Sequence, residues 1–342
     1  TDIDALKIEV PEDQEEINRI YYERGWNDGL PIIPPTEERV SRMLEATKRN
    51  ADEILGIFPP RGNEAMVGHI AINAVMAGCL PEHMPVLITV VEAVLEEQFN
   101  LNWIQATTHP VAPLVIINGP IRERLSFNCG SNLFGPGNRT NAVIGRAVRL
   151  ILLNIGGAKP GELDLSTQGQ PSKYSFCIAE NEEMNPWEPL HVERGFDRSS
   201  STVTVCGVEN PHNINDHTAE DANDLLTTIV GTITTQGNNN IIYKMGETLL
   251  LIGPEHASII AESGFSKQGI KQFLYENARI PKTLFSGKHQ EEQFTDIPDV
   301  ESITLAQGPD EFMIVVAGGA GKHSSYCPSF AFTRSLTKEI SE

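Results

Sequence analysis

The sequence predicts an α/β protein in which mixed sheets are flanked by helices, arranged as two lobes with a cleft between them. Short runs of branched apolar residues alternate along the chain with longer segments that have helical spacing, which is the pattern of this class. The 342 residues are 40% hydrophobic and only 6% aromatic, which is enough for one large or two ordinary domains.

The first half of the chain reads mainly as helices around one strand. Pro11 and three following acids are typical of a helix start, and Thr36 before two glutamates is a helix cap. Gly119-Pro120 ends a run of branched residues that reads as a core strand. The predicted helices are Pro11–Arg24, Thr36–Lys48, Glu64–Ala77, Glu82–Glu97 and Asn138–Asn154, and the predicted strand is Ala112–Asn118.

The second half repeats the alternation. Gly156-Gly157 and the polar stretch after it indicate a boundary, so we expect an N-terminal helical arm over residues 1–60, a first lobe over 61–165 and a second over 166–342. LPEHMPV (80–86) and IGPEHAS (252–258) share Pro-Glu-His, through duplication or chance. The predicted strands are Tyr174–Ala179, Thr202–Cys206, Thr248–Ile252 and Phe312–Ala317, and the predicted helices are Thr218–Thr234, Pro254–Ser263 and Lys267–Ala278.

Charge and composition exclude several classes of protein. With 26 basic and 46 acidic residues the formal charge is −20, which disfavours binding to nucleic acid or to an anionic membrane surface. The longest apolar runs are shorter than the roughly 20 residues of a membrane span, and the acidic first residues do not resemble a signal peptide. Five widely spaced cysteines without a CxxC pair predict a reducing, cytoplasmic setting without disulfides.

Histidines and carboxylates are concentrated between residues 174 and 217, in predicted strands and their loops. On an extended segment, residues that are two positions apart share one face, so His191 and Glu193 would lie close together. The set suits zinc, iron or manganese, although its spacing matches no established metal signature. The predicted metal ligands are His191, Glu193, His212, Asp216 and His217.

Several of these residues have plainer alternatives. Asp216 suits a helix cap, His217 suits solvent, and Glu193 could pair with a neighbouring arginine. His191 and Glu193 are equally candidates for acid–base catalysis without a metal, and so is Glu180, which follows the end of a predicted strand.

Two cysteines and one further histidine complete the catalytic candidates. Cys79 precedes a helix start, which could lower its pKa, and Cys177 lies in a predicted strand beside the acidic loop. Both suit a small core residue as well. His109 precedes the first core strand and points either into a cleft at the sheet edge or into a turn.

Two glycine-rich segments are candidates for binding an anion. In the first, a turn with two glycines leads into the helix at Asn138, where free N–H groups together with Arg139 and Arg146 would hold a carboxylate or phosphate; the alternative is a turn with Asn138 as its cap. In the second, three glycines precede Lys322 and His323 and could form a backbone nest in which Lys322 or His323 anchors the substrate; the alternative is a flexible or interface loop. Neither is a dinucleotide fingerprint or a P-loop, so no nucleotide cofactor is expected.

Five segments of the chain carry a resemblance to known sequences, namely GWNDGLPIIPPT, NAVMAGCLPEHMPV, ATTHPVAPLVIINGP, GPGNRTNAVIGRAVRLILLNIGGAKPGE and AENEEMNPWEPLHVERGF. They resemble a bacterial family of hypothetical proteins, and the resemblance spans nearly the whole chain. Some members of that family occur with small UGSC-type proteins that contain selenocysteine or cysteine, which implies a small thiol or selenol protein as a partner. The resemblance assigns no activity and no catalytic residue.

Taken together, the sequence favours a cytoplasmic homo-oligomeric enzyme, a lyase or hydrolase, that acts on a small anionic substrate by acid–base or metal-assisted chemistry. Two alternatives remain. Cys177 or Cys206 could act as a thiol-redox centre, or the apolar helices of the first half could pack across an interface of a non-catalytic subunit.

Overall fold

Helices and strands alternate along residues 7–297 and 299–341, which are the residues that the computed structural model describes, and this confirms the α/β class. The helices are α1 (Gln14–Glu23), α2 (Glu37–Leu44), α3 (Val67–Ala77), α4 (Met84–Val94), α5 (Leu101–Gln105), α6 (Ile121–Arg124), α7 (Arg139–Asn154), α8 (Leu190–Glu193), α9 (Ala222–Ile233), α10 (Asn239–Tyr243), α11 (Pro254–Glu262), α12 (Lys267–Asn277) and α13 (Gly287–Gln293). The strands are β1 (Ile54–Phe58), β2 (Asn63–Met66), β3 (Ala112–Asn118), β4 (Cys177–Ala179), β5 (Thr202–Val208), β6 (His212–Asn215), β7 (Thr248–Ile252), β8 (Arg279–Pro281), β9 (Ser302–Thr304), β10 (Phe312–Val316), β11 (His323–Cys327) and β12 (Leu336–Glu339).

Two four-stranded sheets have the same pattern of strand directions. Sheet I has the order β12-β5-β3-β4, in which β3 and β4 are parallel, β5 is antiparallel to β3, and β12 is antiparallel to β5. Sheet II has the order β6-β11-β7-β10, with β7 and β10 parallel, β11 antiparallel to β7, and β6 antiparallel to β11. The two antiparallel pairs β1-β2 and β8-β9 lie outside these sheets.

The two sheets stack face to face with helices on both outer sides, because the strands are apolar on both faces. Leu114 and Ile116 of β3 pack in one cluster with Leu251 of β7 and Val315 of β10, which fills the space between the sheets. The alternate residues of sheet I, such as Val115, pack on α3, α4 and α7. Those of sheet II pack on α9, α11 and α12. The fold is therefore a four-layer α/β/β/α stack.

Each half of the chain gives its last strand to the other sheet. β6 follows β5 along the chain but pairs with β11, whereas β12 follows β11 but pairs with β5. The two crossing segments meet: the Phe330 N–H donates to the Gly207 carbonyl, and the Glu209 N–H donates to the Pro328 carbonyl. The repeated strand pattern and the reciprocal exchange favour an internal duplication. The two Pro-Glu-His segments do not mark it, since one precedes β3 and the other follows β7.

Sheet I also crosses the boundary expected at residue 165, because β3 lies before that residue and β4, β5 and β12 lie after it. The structure does not confirm a cleft between two lobes. The arm over residues 7–60 packs on the body through Ile17 and Met43, which belong to the same core cluster as α3 and α7.

Three predicted helix starts were wrong by three or four residues. Helix α1 begins at Gln14 and not at Pro11, because the Asp13 side chain caps it. Residues 63–66 pair with β1 as strand β2, so α3 begins at Val67 and not at Glu64. The helix expected from Thr218 begins at Ala222, because the Asp221 side chain caps it by accepting the N–H groups of Asn223 and Asp224.

Within the described residues no helix combines the length and the apolar character that crossing a bilayer requires.

Gly253, which joins β7 to α11, should tolerate no side chain. A Cβ at this position would lie 2.1 Å from the His323 carbonyl oxygen, although its φ of −64° is open to any residue. We expect Gly253→Ala to lower the free energy of unfolding by about 2 to 4 kcal/mol through this clash. Chemical denaturation measures the change.

The matched control is Gly231→Ala within α9, where an added Cβ meets nothing within 4 Å. It should be neutral or stabilise by up to about 1 kcal/mol, since alanine favours a helix over glycine. Equal effects of the two variants would contradict the packing described for the β7–α11 turn.

Candidate functional site

Two pairs of parallel strands, β3 with β4 and β7 with β10, end side by side at one edge of the stacked sheets. The Asn181 N–H after β4 donates to the Val316 carbonyl of β10 at 2.8 Å, and the Asn181 amide donates to the Gly318 carbonyl at 3.3 Å. The Gly318 N–H in turn donates to the Cys129 carbonyl at 2.9 Å. Ligands of α/β proteins commonly bind at the carboxyl ends of such strands. This edge is therefore the candidate functional region.

Polar side chains occupy the end of the space between the two sheets, and we call them the inter-sheet polar cluster. Asn118 is at the end of β3, on the face that carries Leu114 and Ile116, and it is paired in register with Thr202 of β5. Asn118, Thr202, Glu180 and His191 are completely buried. The cluster consists of Asn118, Arg122, Glu180, Glu182, Asn185, His191 and Thr202.

Glu180 is held by three hydrogen-bond donors. Its Oε2 accepts from Asn118 Nδ2 at 2.6 Å and from the Leu190 N–H at 2.8 Å, and its Oε1 accepts from Asn185 Nδ2 at 2.9 Å. Burial raises the pKa of this carboxyl above its usual range, while Lys267 and the donors act in the opposite direction. The carboxyl group therefore has one fixed orientation.

Glu182 and Glu183 share Arg122. Glu182 Oε1 accepts the Gly119 N–H at 2.7 Å and lies 3.1 Å from Arg122 Nε. The far end of the guanidinium donates to Glu183 at 2.8 Å and to the Glu180 carbonyl at 2.9 Å. A nearly buried arginine thus links two carboxylates and the backbone at the end of β4.

Four buried polar atoms of this cluster make no hydrogen bond to the described part of the protein, namely Asn118 Oδ1, Arg122 Nε, His191 Nδ1 and Thr202 Oγ1, although Arg122 Nε is in ion-pair contact with Glu182. His191 Nδ1 lies 3.9 Å from Glu182 Oε1, too far for a hydrogen bond. Buried polar atoms are rarely unsatisfied in folded proteins, so four of them in one cluster mark a place that could form further hydrogen bonds.

A cleft of about 240 Å³ opens beside this cluster, between the loop at residues 131–134 and the loop at residues 317–325. Gly318 and Gly321 have φ angles of 109° and 125°, which favour glycine. Gly319 approaches Ser131 so closely that a Cβ would lie 2.0 Å from its Oγ. The glycines therefore bring the backbone against the wall of the cleft. The lining residues are Ser131, Asn132, Leu133, Phe134, Leu251, Gly253, Ala317, Gly318, Gly319, Ala320, Gly321, His323, Ser324 and Ser325.

Ser324, which lines this cleft, forms a hydrogen bond with His256, which is buried behind it. The His256 Nε2 lies 3.0 Å from the Asp216 carbonyl oxygen, so Nε2 carries the proton and donates. His256 Nδ1 then accepts from Ser324 Oγ at 2.8 Å. The Gly253 N–H donates to the same Oγ at 3.0 Å. Burial lowers the pKa of His256, which leaves a neutral imidazole able to accept the proton of the serine.

The mouth of the cleft carries basic side chains. His323, which lines the cleft, lies with its Nε2 3.2 Å from His217 Nε2, and both rings are exposed. Lys322 Nζ donates to the His217 carbonyl at 3.2 Å. Glu255 is the acidic neighbour and accepts the Gly321 N–H at 2.7 Å. Of the predicted anchoring residues, His323 therefore lines the cleft, and Lys322 precedes it in the chain.

The five predicted metal ligands do not come together. In the described residues no three His, Cys, Asp or Glu side chains are placed to hold one ion. His191 is in the inter-sheet polar cluster, whereas Glu193 pairs with Lys267 at 3.0 Å and with Lys271. His212 contacts the edge of the Tyr326 ring. The set is thus divided among separate places.

The extended segment predicted at His191 is wrong, since residues 190–193 form helix α8. The Glu180 carboxylate accepts the first N–H of this helix, from Leu190, and so stabilises its start. Asp216 is not a helix cap either, because Asp221 caps α9; its Oδ1 accepts the N–H groups of Thr218 and Ala219 in the turn before that helix. The hydrogen bond from the Thr228 hydroxyl, together with these two, lowers the pKa of Asp216.

The predicted anion site at the start of α7 is occupied by the protein itself. Asn138 caps the helix by accepting the Asn141 N–H. Arg139 donates to the Gly78 carbonyl at 3.0 Å, and Arg146 forms two hydrogen bonds with Asp28 of the N-terminal arm at 2.8 and 2.9 Å. These contacts correspond to the alternative in which the segment is a turn with Asn138 as the helix cap.

The cysteine candidates lie in the core. Cys79, Cys177 and Cys206 are buried, and burial raises the pKa of each thiol. His109 Nε2 lies 2.9 Å from Glu209 Oε1, away from the cleft lining. Helices α3 and α4, considered above for an interface, are buried against sheet I within this chain.

The segment from residue 174 to 217 and the turn before α7 do meet. Phe176 and Phe134 have ring centroids 5.9 Å apart, and Ser175 Oγ donates to the Ala142 carbonyl at 2.9 Å. The contact is made by Phe134 and the body of the helix, so it joins this segment to the wall of the cleft. The sequence did not indicate His256; its only local signal is that it follows a strand and the residues Gly253, Pro254 and Glu255.

Replacing Glu180 should destabilise the protein strongly. Glu180→Ala removes the acceptor for three donors, two of which belong to the buried Leu190 N–H and Asn118 amide. We expect the free energy of unfolding to fall by about 3 kcal/mol or more, because unsatisfied buried donors are costly. Denaturant titration gives the value.

Glu188→Ala is the matched control, since Glu188 is an exposed glutamate of the same loop. It should change stability by no more than about 0.5 kcal/mol. A loss below about 1 kcal/mol for Glu180→Ala would mean that the cluster reorganises without this carboxylate.

Comparison of the chain with protein-family models, with curated proteins and with solved structures found no significant match. The side chains of the site are therefore the basis for assigning its chemistry.

Proposed function

We propose that this protein is a hydrolase for a small carboxylated ester, thioester or amide, with Ser324 as nucleophile and His256 as general base. The observation that carries the proposal is the Ser324 Oγ to His256 Nδ1 hydrogen bond of 2.8 Å at the wall of the cleft, with the imidazole oriented by the Asp216 carbonyl. A nucleophile, a base and an orienting group in hydrogen-bonded series are the signature of an activated serine.

In this proposal the Ser324 oxygen attacks the acyl carbon while its proton passes to His256 Nδ1. The imidazolium then returns the proton to the leaving group, and the acyl chain remains on Ser324. Water, deprotonated by the same nitrogen, releases the acid and restores the hydroxyl. The Asp216 carbonyl stabilises the imidazolium through the Nε2 proton in both steps.

The glycine loop supplies the expected stabilisation of the oxyanion. Gly319 and Ala320 line the same cleft as Ser324, and their backbone amides are the groups that we assign to this role. Because they belong to the backbone, these donors need little reorganisation when charge develops on the substrate oxygen.

The size and charge of the cleft support the substrate class. A volume of about 240 Å³ suits a molecule smaller than most drug-sized ligands. Lys322, beside the cleft, favours a negative group on the substrate, in keeping with the expectation from the sequence. The protein carries a formal charge of −20, so this local positive charge is the distinctive feature.

The test is hydrolysis of short-chain activated esters together with labelling by a fluorophosphonate, which reacts with activated serines. We expect one label per chain, located by mass spectrometry at Ser324, and a loss in kcat of about 10³-fold or more for Ser324→Ala and for His256→Ala.

Ser325→Ala is the matched control, because Ser325 also lines the cleft but does not contact His256. It should keep both labelling and hydrolysis. Failure of the wild type to be labelled at Ser324, or full activity of Ser324→Ala, would refute the assignment. Circular dichroism of each variant separates loss of the fold from loss of chemistry.

A further inference from the structure

His217 and His323 are brought together by strand pairing. His323 begins β11 and is paired in register with Asn215 of β6, and His217 lies two residues beyond that strand. Their Nε2 atoms are 3.2 Å apart, and both rings are exposed at the mouth of the cleft. The two nitrogens therefore share one small region that is open to solvent.

The geometry fits two ligands of one metal ion. Ligands at the Zn–N distance of 2.0–2.1 Å and at tetrahedral angles lie about 3.3 Å apart, with ring centroids about 5.2 Å apart. A straight hydrogen bond between the same two nitrogens would place the centroids about 5.5 Å apart. The observed centroid separation is 5.0 Å with an interplanar angle of 81°. The separation is thus nearer to that of two ligands of one ion than to that of a straight hydrogen bond.

A neighbouring amide fixes the tautomer that metal binding requires. His323 Nδ1 lies 3.1 Å from Asn213 Oδ1. Because a carbonyl oxygen only accepts, the proton is on Nδ1 and the lone pair of His323 is on Nε2, facing His217. Histidine ligands are commonly oriented by such a second hydrogen bond, whose loss weakens metal binding.

We propose that His217 Nε2 and His323 Nε2 bind one zinc ion at the mouth of the cleft. Imidazole nitrogens select ions of the zinc, nickel and copper group over magnesium and calcium. Two protein ligands leave two tetrahedral positions for water or for an anionic ligand. The site shares only His217 with the ligand set expected from the sequence, and it does not depend on the chemistry assigned to Ser324.

Isothermal titration of untagged, chelator-treated protein with zinc chloride tests the site. We expect one ion per chain, with the affinity reduced about 10-fold or more in both His217→Ala and His323→Ala. Asn213→Ala should weaken binding as well, without removing a ligand. Titration with cobalt, whose absorption reports tetrahedral coordination, provides an independent reading.

His212→Ala is the matched control, since His212 is an exposed histidine of the same β6 region that contacts Tyr326 and not the pair. It should bind zinc like the wild type. The proposal is overturned if the wild type takes up no zinc, or if zinc binds equally well to His217→Ala and His323→Ala. Because the readout is metal binding alone, this result is separate from the outcome of the hydrolysis test.

Discussion

The apolar layer between the two sheets is the constraint on which the rest of the structure depends. Leu114, Ile116, Leu251 and Val315 are buried there with Cys206 and Cys327, so both sheets must present branched side chains on both faces. This layer aligns the parallel pairs of the two sheets, and their carboxyl ends consequently meet at one edge. The polar cluster and the cleft both lie at that edge because the backbone leaves the sheets there.

The carboxyl ends of the two parallel strand pairs differ in chemistry, although the strands that lead to them are alike. β3 ends in Asn118-Gly119-Pro120 and β7 ends in Ile252-Gly253-Pro254. After β4 the chain continues with the acids Glu180 and Glu182, whose side chains lie inside and are bound by amide groups and Arg122, whereas the side chain of Glu183 is half exposed. After β10 it continues with glycines, which carry no side chains to fill the space, and a cleft results. The same framework thus supports a closed polar end and an open one.

Local patterns were enough to predict much of this framework. The bounds of β3 and β7 were predicted correctly, because each is a continuous branched run that ends at Gly-Pro. Helix α8 was not predicted, since its start depends on the carboxylate of Glu180, a contact that sequence periodicity does not encode. The pairing of His256 with Ser324 joins residues 68 positions apart and depends on β7 and β11 being neighbours. Pairing between distant strands likewise brought most of the predicted site residues together or kept them apart.

The exchange of β6 and β12 has a consequence for how the molecule holds together. Without the strand contributed by the other half, each sheet would expose the hydrogen-bonding edge of β5 or β11 to solvent, where it could pair with other chains. Neither half can therefore complete its own sheet, and the division into halves does not define units of independent stability. The whole stack is expected to fold and unfold as one cooperative unit. A destabilising change in either sheet therefore lowers the stability of both.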